Sequence, residues 1–169
     1  MTRAALALGA NLGDPRTTLR GAVAGLSAHP EVSVDAVSGL WHTAALGGPR
    51  QPDYLNAVVL VQTSLDSRAL LSLAHDLEED AGRVRDARWG PRTLDVDLLA
   101  FDEERSDDPA LTLPHPRAHQ RRFVLEPWAQ VDPSLVLEPA DGPTRTVGQW
   151  AASITDQPVT LLEGDSWWR

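Results

Sequence analysis

Two aspartates mark where helices begin, and what lies around them restricts the fold more than any other feature of the chain. Asp14 is an N-cap with Pro15 at the first helical position, and Leu19, Ala22, Val23 and Leu26 follow on one helical face. Asp66 opens a second helix, whose inner face is Leu70, Leu73, Ala74, Leu77 and Ala81, with Gly82 placed to end it. Strands flank both helices. Residues 3–9 read as a buried strand, and Val32 and Val34 alternate with polar residues in a strand that runs on toward Trp41. "YLNAVVLVQT" is the most strand-like stretch, and residues 93–101 form another strand. The order β-α-β-β-α-β predicts an α+β fold. Its core is a ferredoxin-like split βαβ arrangement, an antiparallel sheet with helices packed on it.

The rest is less periodic. Residues 44–53, "AALGGPRQPD", and 83–92 read as long loops. From about residue 114 the pattern becomes an irregular C-terminal extension, with short helices expected around 117–121 and 124–130. The tail carries Trp150, Trp167 and Trp168 in no regular pattern. No linker divides the chain, so residues 1–169 are expected to form a single domain.

Composition removes several function classes. The formal net charge of -9 argues against a general nucleic-acid binder, which normally shows a basic face. With no cysteine, disulfides and thiolate chemistry are excluded. No apolar stretch approaches the ~20 residues that span a bilayer. The start "MTRAALALGA" runs at once into "NLGDP", so it reads as a first strand and not as an export signal. A cytoplasmic protein with no membrane or nucleic-acid partner is expected.

Against that acidic background, "RWGPRTLDVDLLAF" stands out. Alternation along a strand puts Asp95 and Asp97 on one face and Leu94, Val96 and Leu98 on the other. Two adjacent carboxylates repel and need a counter-charge. Mg²⁺ is one candidate, since it takes one or two carboxylates and completes its shell with water and phosphate. A solvated face paired with nearby arginines is the other. Just upstream, "GRVRDARWGPR" holds Arg83, Arg85, Arg88 and Arg92 against the single acid Asp86. Guanidinium groups bind phosphate oxygens in bidentate fashion. Arginines leading into a metal-binding carboxylate pair would suit phosphoryl transfer; otherwise they form a solvated basic loop. Trp89 among them is a packing anchor or a lid. A second basic cluster, "PHPRAHQRR", follows at His115 to Arg122. There is no Gly-x-x-x-x-Gly-Lys-Ser/Thr loop and no protein-kinase signature.

"RVRDARWGPRTLDVDLL" resembles the signature of the 6-hydroxymethyl-7,8-dihydropterin pyrophosphokinases of the folate pathway. "LGANLGD", "QPDYLNAVV" and "LTLPHPRAHQRRFVLEP" extend the resemblance over most of the chain. It implies transfer of the β,γ-diphosphate of ATP to the pterin hydroxymethyl group, leaving AMP. Asp95 and Asp97 would be ligands to two Mg²⁺ ions. Arg83 and Arg92 would act in catalysis with the two aspartates, Arg85, His115 and Arg121 would meet phosphates, and Arg88 and Trp89 would also bind ATP. His75, Glu78, Leu98, Leu111 and Thr112 match nucleotide-binding positions. For the pterin the resemblance points to Thr43, Leu46, Tyr54, Asn56, Trp89 and Phe123, with Tyr54 and Phe123 as flanking rings and Asn56 as donor and acceptor to the heterocycle edge. Read without the resemblance, Tyr54 and Phe123 are core aromatics. Small-molecule substrates and a monomer are implied.

The chain departs from the pattern at Ala10, where Ser is usual, at His75, where some members have Gln, and at Ala44-Ala45, which replaces a Pro-containing stretch. The arginine loop is also one residue shorter than in some relatives. Two other classes use the same features. A nucleotidyltransferase could use the Asp pair and release diphosphate. A non-enzymatic ferredoxin-like module would bind RNA or a small ligand, although acids on the central strand oppose RNA.

Overall fold

A computed structural model describes residues 1–44, 51–82 and 93–169. Strand β1 (Thr2–Ala10) leads to helix α1 (Pro15–Ala28), strands β2 (Val32–Val37), β3 (Leu40–Thr43) and β4 (Tyr54–Thr63), helix α2 (Ser67–Asp80) and strand β5 (Asp95–Phe101). The sheet is antiparallel. β1 lies between β4 and β5, and β4 pairs on its far side with both β2 and β3. β1 and β2 are thus each antiparallel to the β4 that separates them, which is the expected split βαβ core.

Both helix starts form as predicted. The Asp14 carboxylate accepts from the Thr17 amide at 3.2 Å, and that of Asp66 from the Ala69 amide at 2.8 Å. Gly82 ends α2 at φ +77, a left-handed conformation that costs glycine little. Leu19, Val23 and Leu26 of α1 and Leu70, Ala74 and Leu77 of α2 bury one face of the sheet, including Leu6, Leu8, Val59 and Val96. Leu73 and Ala81 pack at the margin of that core, only partly buried.

One predicted strand is two. The run from Val32 toward Trp41 breaks at Ser38-Gly39, and side-chain chemistry explains the break. Ser38 Oγ accepts from the Val58 amide at 2.9 Å and donates to the Gly39 carbonyl at 2.7 Å. At Gly39 a Cβ would lie 2.7 Å from the Glu163 carbonyl oxygen, so only glycine lets the C-terminal segment cross there.

The C-terminal part is more regular than its sequence suggests. Strands β6 (Ser106–Asp108) and β7 (Leu111–Leu113) pair, and a 3-10 turn at Ala118–Gln120 leads into α3 (Arg122–Val131). Strands β8 (Val136–Leu137) and β9 (Arg145–Thr146) form a second small ladder before α4 (Val147–Ser153). Val124, Leu125 and Trp128 of α3 and Val147 and Trp150 of α4 bury the second sheet face at Ala5, Val58, Leu60 and Leu99. Finally β10 (Thr160–Glu163) pairs antiparallel with β3 and becomes a sheet edge. Trp167 is 1% exposed, and its Nε1 donates to the Ser38 carbonyl at 2.8 Å. Among the described residues no helix is long and apolar enough to cross a membrane.

Candidate active site

The register of four strands builds the site. Asp95 on β5 stands opposite Gly9 on β1, Gly9 opposite Asn56 on β4, and Asn56 opposite Trp41 on β3. One step along, Asp97 faces Ala7 and Ala7 faces Val58. Asp95 and Asp97 therefore share a sheet face, as alternation requires, while Leu94, Val96 and Leu98 are buried in the opposite core. Beside the two aspartates the central strand offers the small residues Ala7 and Gly9, and the shallow floor they leave opens into a cavity of about 430 Å³.

That cavity gathers Asp95, Asp97, Thr43, Tyr54, Asn56, Arg121 and Phe123. Two larger hollows, of about 650 and 570 Å³, contain none of the predicted residues. Asn56 is 6% exposed and donates to Thr43 Oγ1 at 3.0 Å, which fixes the orientation of its amide. Tyr54 and Phe123 are half-buried and line the cavity, so neither is a core aromatic. The Tyr54 hydroxyl donates to Gln51 Oε1 at 3.4 Å. Gln51 is held in turn by Asn11, whose Nδ2 donates to Gln51 Oε1 at 2.8 Å and to the Pro52 carbonyl at 2.9 Å. The "LGANLGD" segment thus anchors the start of the chain that leads into Tyr54.

Arg121 comes from the junction of the 3-10 turn and α3. Its guanidinium lies 5.7 Å over the Phe123 ring. Burial lowers its proton affinity, Asp97 opposes that, Arg117 adds to it, and Asp95 opposes it more weakly. The cation is thus partly desolvated and coupled to both carboxylates. Burial, with Arg121 and Arg117 nearby, also depresses His115, to about 4. Its Nδ1 accepts from the Arg117 amide at 3.2 Å, so the neutral ring carries its proton on Nε2.

His115 and the other described nucleotide residues do not line this cavity. His75 is exposed on α2. Glu78 is 2% exposed, and its carboxylate accepts from the Val96 amide at 3.2 Å, between the two aspartates. Leu98 and Leu111 are core residues. Thr112 Oγ1 donates to the Asp108 carbonyl at 3.0 Å. Arg83, Arg85, Arg88, Trp89, Arg92 and Leu46 lie outside the described residues. Sequence reasoning missed Gly9, Gln51 and a wall formed by Gln157, Pro158 and Val159.

The model of the family described as 7,8-dihydro-6-hydroxymethylpterin-pyrophosphokinase (HPPK) matches residues 5–133. The chain belongs to this family. Among similar HPPK family members, the 2-amino-4-hydroxy-6-hydroxymethyldihydropteridine pyrophosphokinase of Bacillus subtilis is 41% identical over 143 residues, covering 85% of this chain and 86% of that protein. The protein of the same name from Methylorubrum extorquens is 43% identical over 137 residues, covering 81% and 87%. In structure, the Plasmodium falciparum HPPK-DHPS chain crystallised with SDX-DHP superposes with a TM-score of 0.65 at 12% identity over 90% of this chain. This chain spans 43% of that longer one, and the likeness is one of fold. The HPPK match takes in every predicted site residue but ends well before Gln157.

Proposed function

We propose that the chain transfers the β,γ-diphosphate of ATP to the hydroxymethyl group of 6-hydroxymethyl-7,8-dihydropterin, giving the pterin diphosphate and AMP, a step of folate biosynthesis. The observation that supports the reading is one cavity that brings aromatic rings, an amide, two carboxylates and a guanidinium together. Tyr54 and Phe123 offer ring faces, Asn56 offers an amide edge, and Asp95, Asp97 and Arg121 lie beside them.

In the reaction the substrate hydroxyl oxygen bonds to the β-phosphorus. The bond from that phosphorus to the α,β-bridging oxygen breaks, AMP leaves with the oxygen, and the hydroxyl loses its proton. Such a transfer needs alignment and charge neutralisation more than covalent chemistry. Asn56, oriented by Thr43, and the two rings would align the pterin. Arg121 would meet the phosphate oxygens, with Arg83, Arg85, Arg88 and Arg92 as further cations. His115, neutral at pH 7, would donate from Nε2.

Asp95 and Asp97 suit Mg²⁺, a hard cation that typically takes one or two carboxylates and fills its shell with water and phosphate. Among the described residues no group of three or more His, Cys, Asp or Glu could hold a metal, so the rest of the shell would come from substrate and water. Two Mg²⁺ ions held there with ATP would supply charge neutralisation on the triphosphate. A monomer in the cytoplasm acting on these two small molecules belongs to the same proposal.

The test is a single turnover with enzyme in excess over ATP and pterin, with the nucleotides separated by chromatography. AMP formed one-for-one with pterin diphosphate is the expected result. ADP beside a pterin monophosphate would overturn the diphosphate transfer, and release of diphosphate would indicate nucleotidyl transfer.

A further inference from the structure

Arg121 carries a cation into the site from an irregular piece of backbone. It has φ -117 and ψ 106, an extended residue between a 3-10 turn and a helix, and no side chain caps that helix from the Arg121 position. What holds it comes from far along the chain. Gln157 Oε1 accepts from the Arg122 amide at 2.9 Å, and Gln157 Nε2 donates to the Gln120 carbonyl at 2.9 Å. Those two groups belong to the two peptide units that flank Arg121. A single carboxamide therefore clamps the backbone on both sides of the cation. Arg122 adds a third tie, because its Nη1 donates to the Gln157 carbonyl at 2.9 Å. Arg122 is thereby turned away from the cavity, with its Nε on Glu126 Oε1 at 3.1 Å.

Each polar end of the Gln157 side chain is tied to backbone by a hydrogen bond, which fixes the carboxamide where it lines the cavity. The clamp also supplies what the helix lacks. The Arg122 amide is one of the first donors of α3, which have no partner within the helix. Chemistry that depends on alignment is sensitive here, since a misplacement on the order of 1 Å can cost about 10²-fold in rate.

We propose that Gln157 is a positioning residue for the transfer: it holds the Arg121 backbone so that the guanidinium stays over Phe123 and close to Asp97 and Asp95. The inference rests on the proposed reaction. It extends the working site into the segment beyond α4, which lies outside the family match.

The experiment is a double-mutant cycle on the full chain with Gln157→Ala, Arg121→Ala and the pair. It reads the single-turnover rate of AMP formation, the pterin dissociation constant and the thermal midpoint. The wild type is expected to form AMP. Gln157→Ala should lower that rate about tenfold while pterin affinity stays within about twofold. In the Arg121→Ala background the same change should alter the rate by less than about twofold, because the group it positions is gone. Gln157→Met, which keeps the length and loses the amide, should be as slow as Gln157→Ala. It replaces that variant in the cycle if the melting curve shows Gln157→Ala unfolded at the assay temperature. A wild-type rate in Gln157→Met, or an undiminished drop in the Arg121→Ala background, overturns the positioning role while leaving the reaction intact. A wild type that forms no AMP overturns the reaction and this inference together.

Discussion

Gly9→Ala is the smallest change that separates the floor of the cavity from the stability of the sheet. Gly9 sits between Asp95 and Asn56 in the row of residues that crosses three strands. A Cβ placed on it would lie 3.3 Å from Asn56 Oδ1, so the amide must give by a few tenths of an ångström. Two effects on stability then oppose each other. Alanine in place of a strand glycine gains about 0.5–1 kcal/mol from reduced freedom of the unfolded chain. Displacing Asn56 strains its 3.0 Å bond to Thr43, whose net worth is about 1 kcal/mol. The sum is close to zero, and the thermal midpoint should move by only a few degrees.

Pterin binding has no such compensation. On the proposed placement the methyl group would occupy the floor, and the displaced amide would no longer meet the heterocycle edge. A loss of about 1.4 kcal/mol or more corresponds to at least a tenfold rise in the pterin dissociation constant. The assay is calorimetric titration of the pterin with a non-hydrolysable ATP analogue present, run beside a melting curve. ATP-analogue affinity should be unchanged. Wild-type pterin affinity in a Gly9→Ala protein of wild-type stability would refute the placement of the pterin against this floor.

Asp97→Ala should cut turnover by orders of magnitude at saturating Mg²⁺ while the fold survives, since a repelling carboxylate is lost; rapid-quench kinetics beside a melting curve checks both halves. Glu78→Ala strands the buried Val96 amide between the two aspartates and should cost about 1–3 kcal/mol in urea unfolding, and an unchanged midpoint would count against that edge contact. For His115, with a folded value of about 4 against 6.5 unfolded, the unfolded chain binds more protons between those limits. Its contribution therefore makes stability fall as pH drops from about 6.5 to about 4 and leaves it flat above. Proton titration by NMR should find the low value in the free enzyme and a rise when a triphosphate binds, because anionic oxygens favour the charged ring.

The parts of the fold legible in the sequence were those governed by local rules. Asp14 and Asp66 cap helices through amides three residues on, and the face of each helix follows from a period of 3.6. Asp95 and Asp97 share a face because strands alternate, and that holds for any strand placed there. The split βαβ core then follows from element order. The aromatic pair behaved differently. Nothing in the spacing of Tyr54 and Phe123 separates a core ring from a ring that lines a cavity, and only the family resemblance pointed to the second. Their half-burial beside Asn56 is a product of β4 and α3 meeting across the sheet.

What escaped the sequence depends on contacts between distant segments. Gly39 interrupts a strand because the Glu163 carbonyl passes within reach of where a side chain would be, and no window around residue 39 contains that information. The three tryptophans of the tail have no helical or strand period because each answers to a separate partner: Trp150 meets His119 edge-on at 5.1 Å, Trp167 bonds the Ser38 carbonyl, and Trp168 packs at the margin of the core under α1 and α2. Gln157 is the sharpest case. As a lone glutamine between Asp156 and Pro158 it carries no motif. Its meaning is the coincidence of two backbone groups spaced to match one carboxamide, and that spacing exists only because Arg121 is extended while the residues on either side of it turn. The same extended residue is what aims a cation at the carboxylates. A chain that needs an arginine at that angle gives up regular backbone there, and the peptide groups left without helical partners are the ones a remote amide can take.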